Sequence, residues 1–532
     1  MKKERSKKYR RLQLLRIGSQ VFFLGLFIYL FTVTHYTGKD YIGPVEGMFH
    51  FDPLITLAVF IASKSLFLHS LLALVTIVLT IVLGRVFCGW FCPLGAVHQF
   101  FSWVFKKTKF LRPKVVSDKP LAAKYYILIF GLIATIFGLN LFGYLDPFAF
   151  LHRSFAVGVF PSASVGTSAA LAFLYKLKLG FIADPVTQFI ENLTLNAVFR
   201  MGFFIGIVFF GAMILNMWRE RYWCRYICPL GAMLGFFSLA NVVKPKVSDE
   251  KCIKCNLCTL QCETQAKPWP EEEWKKTECV YCMTCGAVCP TAAITFPAAA
   301  RVARKQPYVS LKRRQAIFAS IGALAVLPLL RLTPVATRAG DKLIRPPGAL
   351  PEKDFLAKCI KCGECMKACP NNALQPALSE GGPEAVWTPV LVPRIGYCEY
   401  YCSLCTQVCP TGAIKELKIE EKVNVKIGSA WVNKNRCIPY ALGRPCIVCE
   451  EHCPTSPKAI KFVMVETKLP DGTVATQKAP VIDLDLCIGC GICENKCPVM
   501  DDPAIYCTSV GEQRSEKNRL LLDVNKTSNS PY

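Results

Sequence analysis

The sequence predicts a polytopic α-helical membrane domain followed by three small α+β domains built on cysteine-rich runs, and three observations carry that expectation. The 532 residues are 52% apolar, with a mean hydropathy of +0.32, above what soluble domains carry. Apolar segments at residues 14–33, 68–86, 125–145 and 200–218 are long enough, or nearly so, to cross a bilayer. Beyond residue 240, 24 of the chain's 29 Cys fall into six short runs.

The first domain, residues 1–240, holds the four expected spans. Lys and Arg set their orientation. The opening MKKERSKKYRRLQLLR has eight basic residues and one acidic, and residues 85–124 have the same ratio, so both sides face the cytoplasm. Residues 35–52 carry one Lys against three acids and are expected outside, with 146–196. Residues 53–62 are apolar but too short to span, which fits a re-entrant or interfacial piece. The net charge of +25 does not point to nucleic acid, because the basic residues crowd beside apolar segments rather than beside groove-reading or stacking elements. Two motifs repeat at ends of spans: FCGWFCPLGAV at 87–97 and WCRYICPLGAM at 223–233, both on the cytoplasmic side.

Residues 241–300 contain CIKCNLCTLQC and CVYCMTCGAVCP. The spacing Cys-x2-Cys-x2-Cys-x3-Cys-Pro is that of bacterial ferredoxins, in which three thiolates of one run and the last of its partner hold one cubane. By that rule Cys252, Cys255, Cys258 and Cys289 hold one cluster, and Cys279, Cys282, Cys285 and Cys262 the other. Glu263 stands where Pro usually follows the fourth Cys. Residues 336–515 carry four more runs. Paired in order they give Cys359, Cys362, Cys365 with Cys409; Cys398, Cys402, Cys405 with Cys369; Cys437, Cys446, Cys449 with Cys497; and Cys487, Cys490, Cys493 with Cys453. The expectation is three two-cluster, bacterial-ferredoxin-like domains and six [4Fe–4S] clusters. Zinc is disfavoured because it has no use for a third Cys three residues on and a fourth before Pro. Disulfides are disfavoured because Cys triplets at a spacing of three are poor geometry for mutual bridging. Two runs are stretched, Cys398-x3-Cys402 and Cys437-x8-Cys446, which places their first ligand on a longer loop. Cys507 has no partner legible in the sequence, and residues 516–532 read as a polar tail.

Between the two sets of runs, residues 301–335 include Arg313-Arg314 ahead of an apolar stretch at 317–330. This reads as an internal twin-arginine signal or as a plain signal-anchor forming a fifth span. Either puts the four-run domain in the periplasm.

Residues 1–300 resemble the NapH-type membrane subunit of periplasmic nitrate reductase systems, and residues 310–510 resemble its partner, the NapG-type exported polyferredoxin, here joined in one chain. Methylamine dehydrogenase maturation proteins and nitrous-oxide reductase accessory proteins share the same parts. The resemblance implies a quinol dehydrogenase in the inner membrane that takes electrons from the quinone pool and passes them to a periplasmic reductase or c-type cytochrome. The alternative is an electron-supplying assembly factor for a periplasmic redox enzyme. A quinol site needs a proton acceptor near the membrane boundary, for which His98 and the group Asp146, His152 and Arg153 are the candidates, on opposite faces by the orientation above. Cys88, Cys92, Cys224 and Cys228 admit three readings: a further metal centre, a thiol–disulfide relay, or inert cysteines in a small-residue packing motif. No Ser-His-Asp set, phosphate-binding Gly loop or haem-attachment motif is present, so no terminal substrate is expected to be reduced by the chain itself.

Overall fold

The computed structural model describes residues 2–33, 35–36, 41–42, 46–65, 68–107, 119–176, 198–243, 245–269, 274–297, 313–332, 341–468 and 472–515. The tail expected at 516–532, the flanks of the expected internal signal at 301–312 and 333–340, and residues 177–197 lie outside the described residues. The chain divides into one unit of Met1–Thr34, Gly43–Phe155 and Phe203–Pro328 and another of His35–Ile42, Ala156–Gly202 and Leu329–Tyr532.

The first unit is helical up to its cysteine-rich runs, with α1 (Lys2–Val33), α2 (Pro53–Ser63), α3 (Leu72–Leu83), α4 (Pro93–Lys107), α5 (Ala123–Ile136), α6 (Pro147–Arg153), α7 (Gly202–Ile214) and α8 (Pro229–Phe237) in order. Of the four expected spans, only the first forms a helix of full length: Lys8–Val33 is the one stretch among the described residues long and apolar enough to cross a membrane. The other three appear as the shorter apolar helices α3, α5 and α7. At 1.5 Å per residue each covers roughly 20 Å, less than the ~30 Å hydrocarbon layer. Local chemistry cuts them short. Gly84 ends α3 at φ +80°, where a Cβ would run into the ring of Tyr281. Gly138, also left-handed, follows the end of α5.

Four of these helices start alike. Asp52, Cys92, Asp146 and Cys228 each precede a Pro at the first helical position, where the missing N–H is not needed. Asp52 Oδ1 accepts the N–H groups of Leu54 and Ile55 at 2.8 and 3.2 Å. Asp146 Oδ1 accepts those of Phe148 and Ala149 at 3.0 and 2.9 Å. These are N-caps of the strongest kind, and they set α2 and α6 as half-length helices that begin in the interior.

The cysteine-rich part of this unit is closed by β1 (Lys246–Val247) pairing antiparallel with β2 (Ile294–Thr295), Val247 opposite Ile294. Val247, Ala293 and Ile294 form its small core, packed by Cys252, Cys258, Cys285 and Cys289. Further on, α9 (Arg313–Leu332) runs for 20 residues, about 30 Å. Its Ala323 is buried on Ala134 and Leu139, while Ile317, Phe318 and Ile321 are exposed.

The second unit strings short helices and hairpins along its four cysteine runs. β3 (Leu374–Pro376) pairs with β4 (Pro389–Leu391), β5 (Ser429–Val432) with β8 (Ile505–Thr508), and β6 (Ile460–Lys468) with β7 (Val474–Ile482), all antiparallel. Buried polar anchors add to the unit's apolar core. Arg345, 1% exposed, donates to Glu352 Oε2 at 3.1 Å and Oε1 at 2.5 Å. It also donates to Thr388 Oγ1 at 2.8 Å and the Pro389 carbonyl at 2.7 Å. Burial acts to raise the Glu352 carboxyl, and Arg345 and Arg514 together reverse this and hold it below the usual carboxylate range.

Candidate metal centres

In the second unit the sixteen run cysteines fall around four cavities. Cys359, Cys362, Cys365 and Cys409 line one. Cys369, Cys398, Cys402 and Cys405 line another. Cys437, Cys446, Cys449 and Cys497 line a third, and Cys453, Cys487, Cys490 and Cys493 a fourth. The other walls are mainly apolar, with Pro370, Pro410, Pro498 and Pro454 each following the last Cys of its run. The backbone N–H of Cys398 donates to the carbonyl of Cys490 at 2.9 Å, which sets the second and fourth cavities side by side.

Local backbone explains how an eleven-residue run curls around such a space. In the four unstretched runs the residues on both sides of the second Cys are left-handed: Lys254 and Asn256, Tyr281 and Met283, Lys361 and Gly363, Gly489 and Gly491. For a non-Gly residue this costs of order 1–3 kcal/mol, and it persists where the surroundings require it, most often at a functional site. The stretched runs show no such residues beside Cys402 or Cys446. At the far end of the runs, backbone N–H groups reach the last sulfur: Ala266 to Cys262 at 3.2 Å, Ala293 to Cys289 at 3.2 Å, Ala373 to Cys369 at 3.3 Å and Ile414 to Cys409 at 3.4 Å. Thr hydroxyls two residues on add to them, Thr455 lying 3.4 Å from Cys453 and Thr291 3.6 Å from Cys289. Donors to a ligating sulfur stabilise added negative charge and set redox potential.

In the first unit, Cys285 lies within electrostatic range of Cys282, Cys279, Cys262 and Cys258, and Cys258 within that of Cys289. Cys252 shares the small core with that second pair, and Cys255 is exposed. Burial pushes the Cys282 and Cys437 thiols up to about 11 and Cys449 to about 12. Such thiols give up protons only to a strongly positive group, so loading a metal centre releases them. Among the described residues no three His, Cys, Asp or Glu gather tightly enough for a single ion. Four sulfurs set around a cavity suit a cluster better than one zinc ion.

The two Cys-Pro motifs share one geometry. Cys92 and Cys228 are extended, at φ −66°, ψ 117° and φ −63°, ψ 112°, and each caps the helix that follows. Gly231 N–H donates to Cys228 Sγ at 3.3 Å, and Gly95 N–H does the same for Cys92. The Gly is required because the preceding turn folds back onto it. A Cβ at Gly95 would lie 2.9 Å from the Cys88 carbonyl, and one at Gly231 would lie 3.3 Å from the Cys224 carbonyl and 2.8 Å from Arg85 Nη2. The motifs interlock: Arg85, three residues before Cys88, covers Gly231, and Arg221, three before Cys224, covers Gly95 and donates to the Cys88 carbonyl at 3.1 Å. Cys228 lies within electrostatic range of Cys224, Cys88 and Cys92, so the two motifs turn their thiols toward the same region.

The two-run domain is docked on this region. Val280, next to Cys279, presses its carbonyl onto Gly89, next to Cys88, where a Cβ would collide. Trp90 Nε1 donates to the Tyr281 carbonyl at 3.1 Å. Glu278, before Cys279, pairs with Lys124 at 2.5 Å and Arg85 at 3.5 Å. Glu263, after Cys262, takes a two-pronged bond from Arg16 at 3.1 and 3.0 Å and lies 3.5 Å from Arg221. The interlocked arginines therefore each hold a carboxylate beside a thiol of the same set, Cys262, Cys279, Cys282 and Cys285. Buried cations around the thiols, Arg16, Arg85, Lys124, Arg221 and Arg225, outnumber the carboxylates of Glu263 and Glu278, which leaves the surroundings electropositive and suited to an anionic centre.

The residues expected on opposite membrane faces are packed into one interior, which corrects that expectation. α4, with His98, lies on α6. The Phe148 ring sits 6.0 Å from Phe87, Phe150 stacks on Trp223 at 4.5 Å, and Asp146 is within electrostatic range of Cys92. The reason is that 125–145 does not run through as a span: its helix stops at Ile136, and α6 restarts inside. His98 is buried and its Nδ1 lies 3.1 Å from Asn216 Oδ1. His152 packs among Phe27, Phe31 and Phe49. Arg153 braces the preceding turn through the carbonyls of Gly143 at 2.9 Å and Tyr144 at 3.2 Å. Asp146 lies within electrostatic range of Asp52, and each keeps one buried carboxyl oxygen without a hydrogen-bond partner; Asp52 was overlooked in the sequence although the repeated Asp-Pro at 52–53 and 146–147 marks it.

A chain built on ferredoxin-type cysteine runs, with interlocked thiol motifs against one of them, belongs to the class of iron–sulfur electron-transfer proteins. Comparison agrees with that class. The 4Fe-4S binding domain model matches residues 66–112 and again 201–247, the 4Fe-4S dicluster domain model 358–413, and a further 4Fe-4S binding domain model 480–500. An uncharacterized protein of Methanocaldococcus jannaschii is 29% identical over 228 residues, 42% of this chain and 76% of that protein. The methylamine utilization ferredoxin-type protein MauM of Methylorubrum extorquens is 46% identical over 102 residues, 18% of this chain and 44% of MauM. The ferredoxin-type protein NapG of Escherichia coli is 36% identical over 121 residues, 22% of this chain and 52% of NapG. The match thus spans about half of each of these two ferredoxin-type relatives. No solved structure matches.

Proposed function

We propose that the chain is a membrane-bound quinol dehydrogenase and electron conduit, a NapH-like membrane part and a NapG-like polyferredoxin in one polypeptide, serving a periplasmic reductase or c-type cytochrome. The docking of the Cys262, Cys279, Cys282 and Cys285 set onto the four interlocked thiols carries this reading, because it joins the apolar interior to a ferredoxin-type site with no intervening domain. The six run-derived cysteine sets are read as ligands of six [4Fe–4S] clusters, and Cys88, Cys92, Cys224 and Cys228 as ligands of one further centre. When bound, such clusters supply one-electron transfer between neighbouring sites. The protein's own part is to hold the sites close, as the Cys398–Cys490 backbone bond does. It must also take up the protons that quinol oxidation releases. The neighbouring buried carboxyl groups of Asp52 and Asp146 suit that task, since two carboxyl groups near each other in a low-dielectric interior disfavour double ionisation.

Anaerobically purified protein is expected to contain about 24 iron and 24 sulfide from six clusters, with more if the four-thiol site is filled. Zinc in place of iron would end the reading. A deletion strain is expected to lose quinol-dependent turnover of its periplasmic partner while that partner stays fully matured; an immature partner would favour the assembly-factor role instead. For topology, a reporter fused after Ala300 is expected to behave as cytoplasmic and one after Gly340 as periplasmic, which places a crossing between them. Equal locations would remove that crossing.

A further inference from the structure

Cys507 lies outside every ferredoxin run, yet the structure puts it at one of their sites. It is in β8, opposite Ala430 of β5, and strand alternation turns it inward while its neighbour Tyr506 faces out, 42% exposed against 7% for Cys507. Its backbone N–H donates to Glu494 Oε2 at 2.6 Å, which fixes the strand against the run that holds Cys493. The side chain lines the same cavity as Cys453, Cys487, Cys490 and Cys493, and Cys493 is the member of that set with which it interacts most strongly. The other three cavities of this unit show four cysteines each.

We propose that Cys507 is a fifth thiol that donates its S–H to the ligating sulfur of Cys493 and thereby raises the reduction potential of that one cluster above what its four ligands alone would give. The direction of donation follows from chemistry. A cysteine bound to iron is a thiolate with no proton to give, so in a Cys493–Cys507 contact only Cys507 can donate. A hydrogen bond to a ligating sulfur stabilises the extra electron of the reduced state. The site adjoins the Cys398 set through the backbone bond to Cys490, so the cluster tuned in this way is one of the pair at the junction between the two halves of the polyferredoxin. Cys507 is a positioning residue here, acting through Cys493 rather than as a ligand.

The inference rests on the ligand set proposed above, and the experiment separates the two. Full-length Cys507→Ala, Cys507→Ser and Cys490→Ser proteins are purified anaerobically, their iron counted, and their clusters titrated by low-temperature EPR. Cys507→Ala is expected to keep the parent's iron and to shift one midpoint downward with the others unmoved. Cys507→Ser, which retains a donor, is expected to restore most of that shift. Unchanged midpoints in Cys507→Ala would overturn the proposal, and loss of about four iron would overturn it by making Cys507 a ligand. If instead Cys490→Ser keeps all its iron, the ligand set itself is wrong.

Discussion

Replacing Glu278 with Ala is expected to release the two-run domain from the thiol motifs of the first unit. Glu278 is 1% exposed, and its partners Lys124 and Arg85 are 0% and 2% exposed. Tyr125 adds a hydrogen bond to the same carboxylate at 3.2 Å. Removing the carboxylate leaves two buried cations facing each other without compensation, a change that costs about 3–5 kcal/mol in comparable buried pairs. Glu278→Gln keeps a hydrogen-bond acceptor but loses the charge, and should fall between Ala and the parent. The measurement is limited proteolysis between the domains together with the thermal midpoint in detergent. Early cleavage in the 241–300 region and a lower midpoint are expected for Glu278→Ala, with electron delivery from quinol falling in parallel. A variant with the parent's protease resistance and midpoint would mean that the contact contributes little to docking.

The ligand sets could be read from sequence because short spacing determines them: Cys359, Cys362 and Cys365 must lie on one tight loop, and the ferredoxin rule supplies Cys409. The structure lays these four around one cavity. What spacing could not show is contact between distant segments. Glu263 looked like a defect in its run, standing where Pro is usual, yet that substitution supplies the carboxylate that Arg16 and Arg221 grip. Arg85 and Arg221 occupy matching places in the repeat, but their crossing onto each other's Gly requires the two motifs to face one another, which no linear pattern encodes. Hydropathy overstated the spans at 68–86, 125–145 and 200–218, because it scores apolar composition and does not register a left-handed Gly84 or a helix restarting at Asp146-Pro147. Cys507 was invisible for a similar reason: its partner run precedes it by a turn and a strand, and only the pairing of β8 with β5 brings it back.

The account's central claim is that Cys88, Cys92, Cys224 and Cys228 together hold one redox centre beneath the docked ferredoxin site. The most direct test is iron content and low-temperature EPR on the four single Cys→Ser variants, with the six ferredoxin-type clusters as internal reference. A shared centre has four ligands that are all needed, so each variant is expected to lose the same spectroscopic component and the same amount of iron. A thiol relay would instead change thiol titration and leave iron untouched, and inert packing would cost only a small change in stability. If all four variants keep the parent's iron and spectrum, the claim is contradicted.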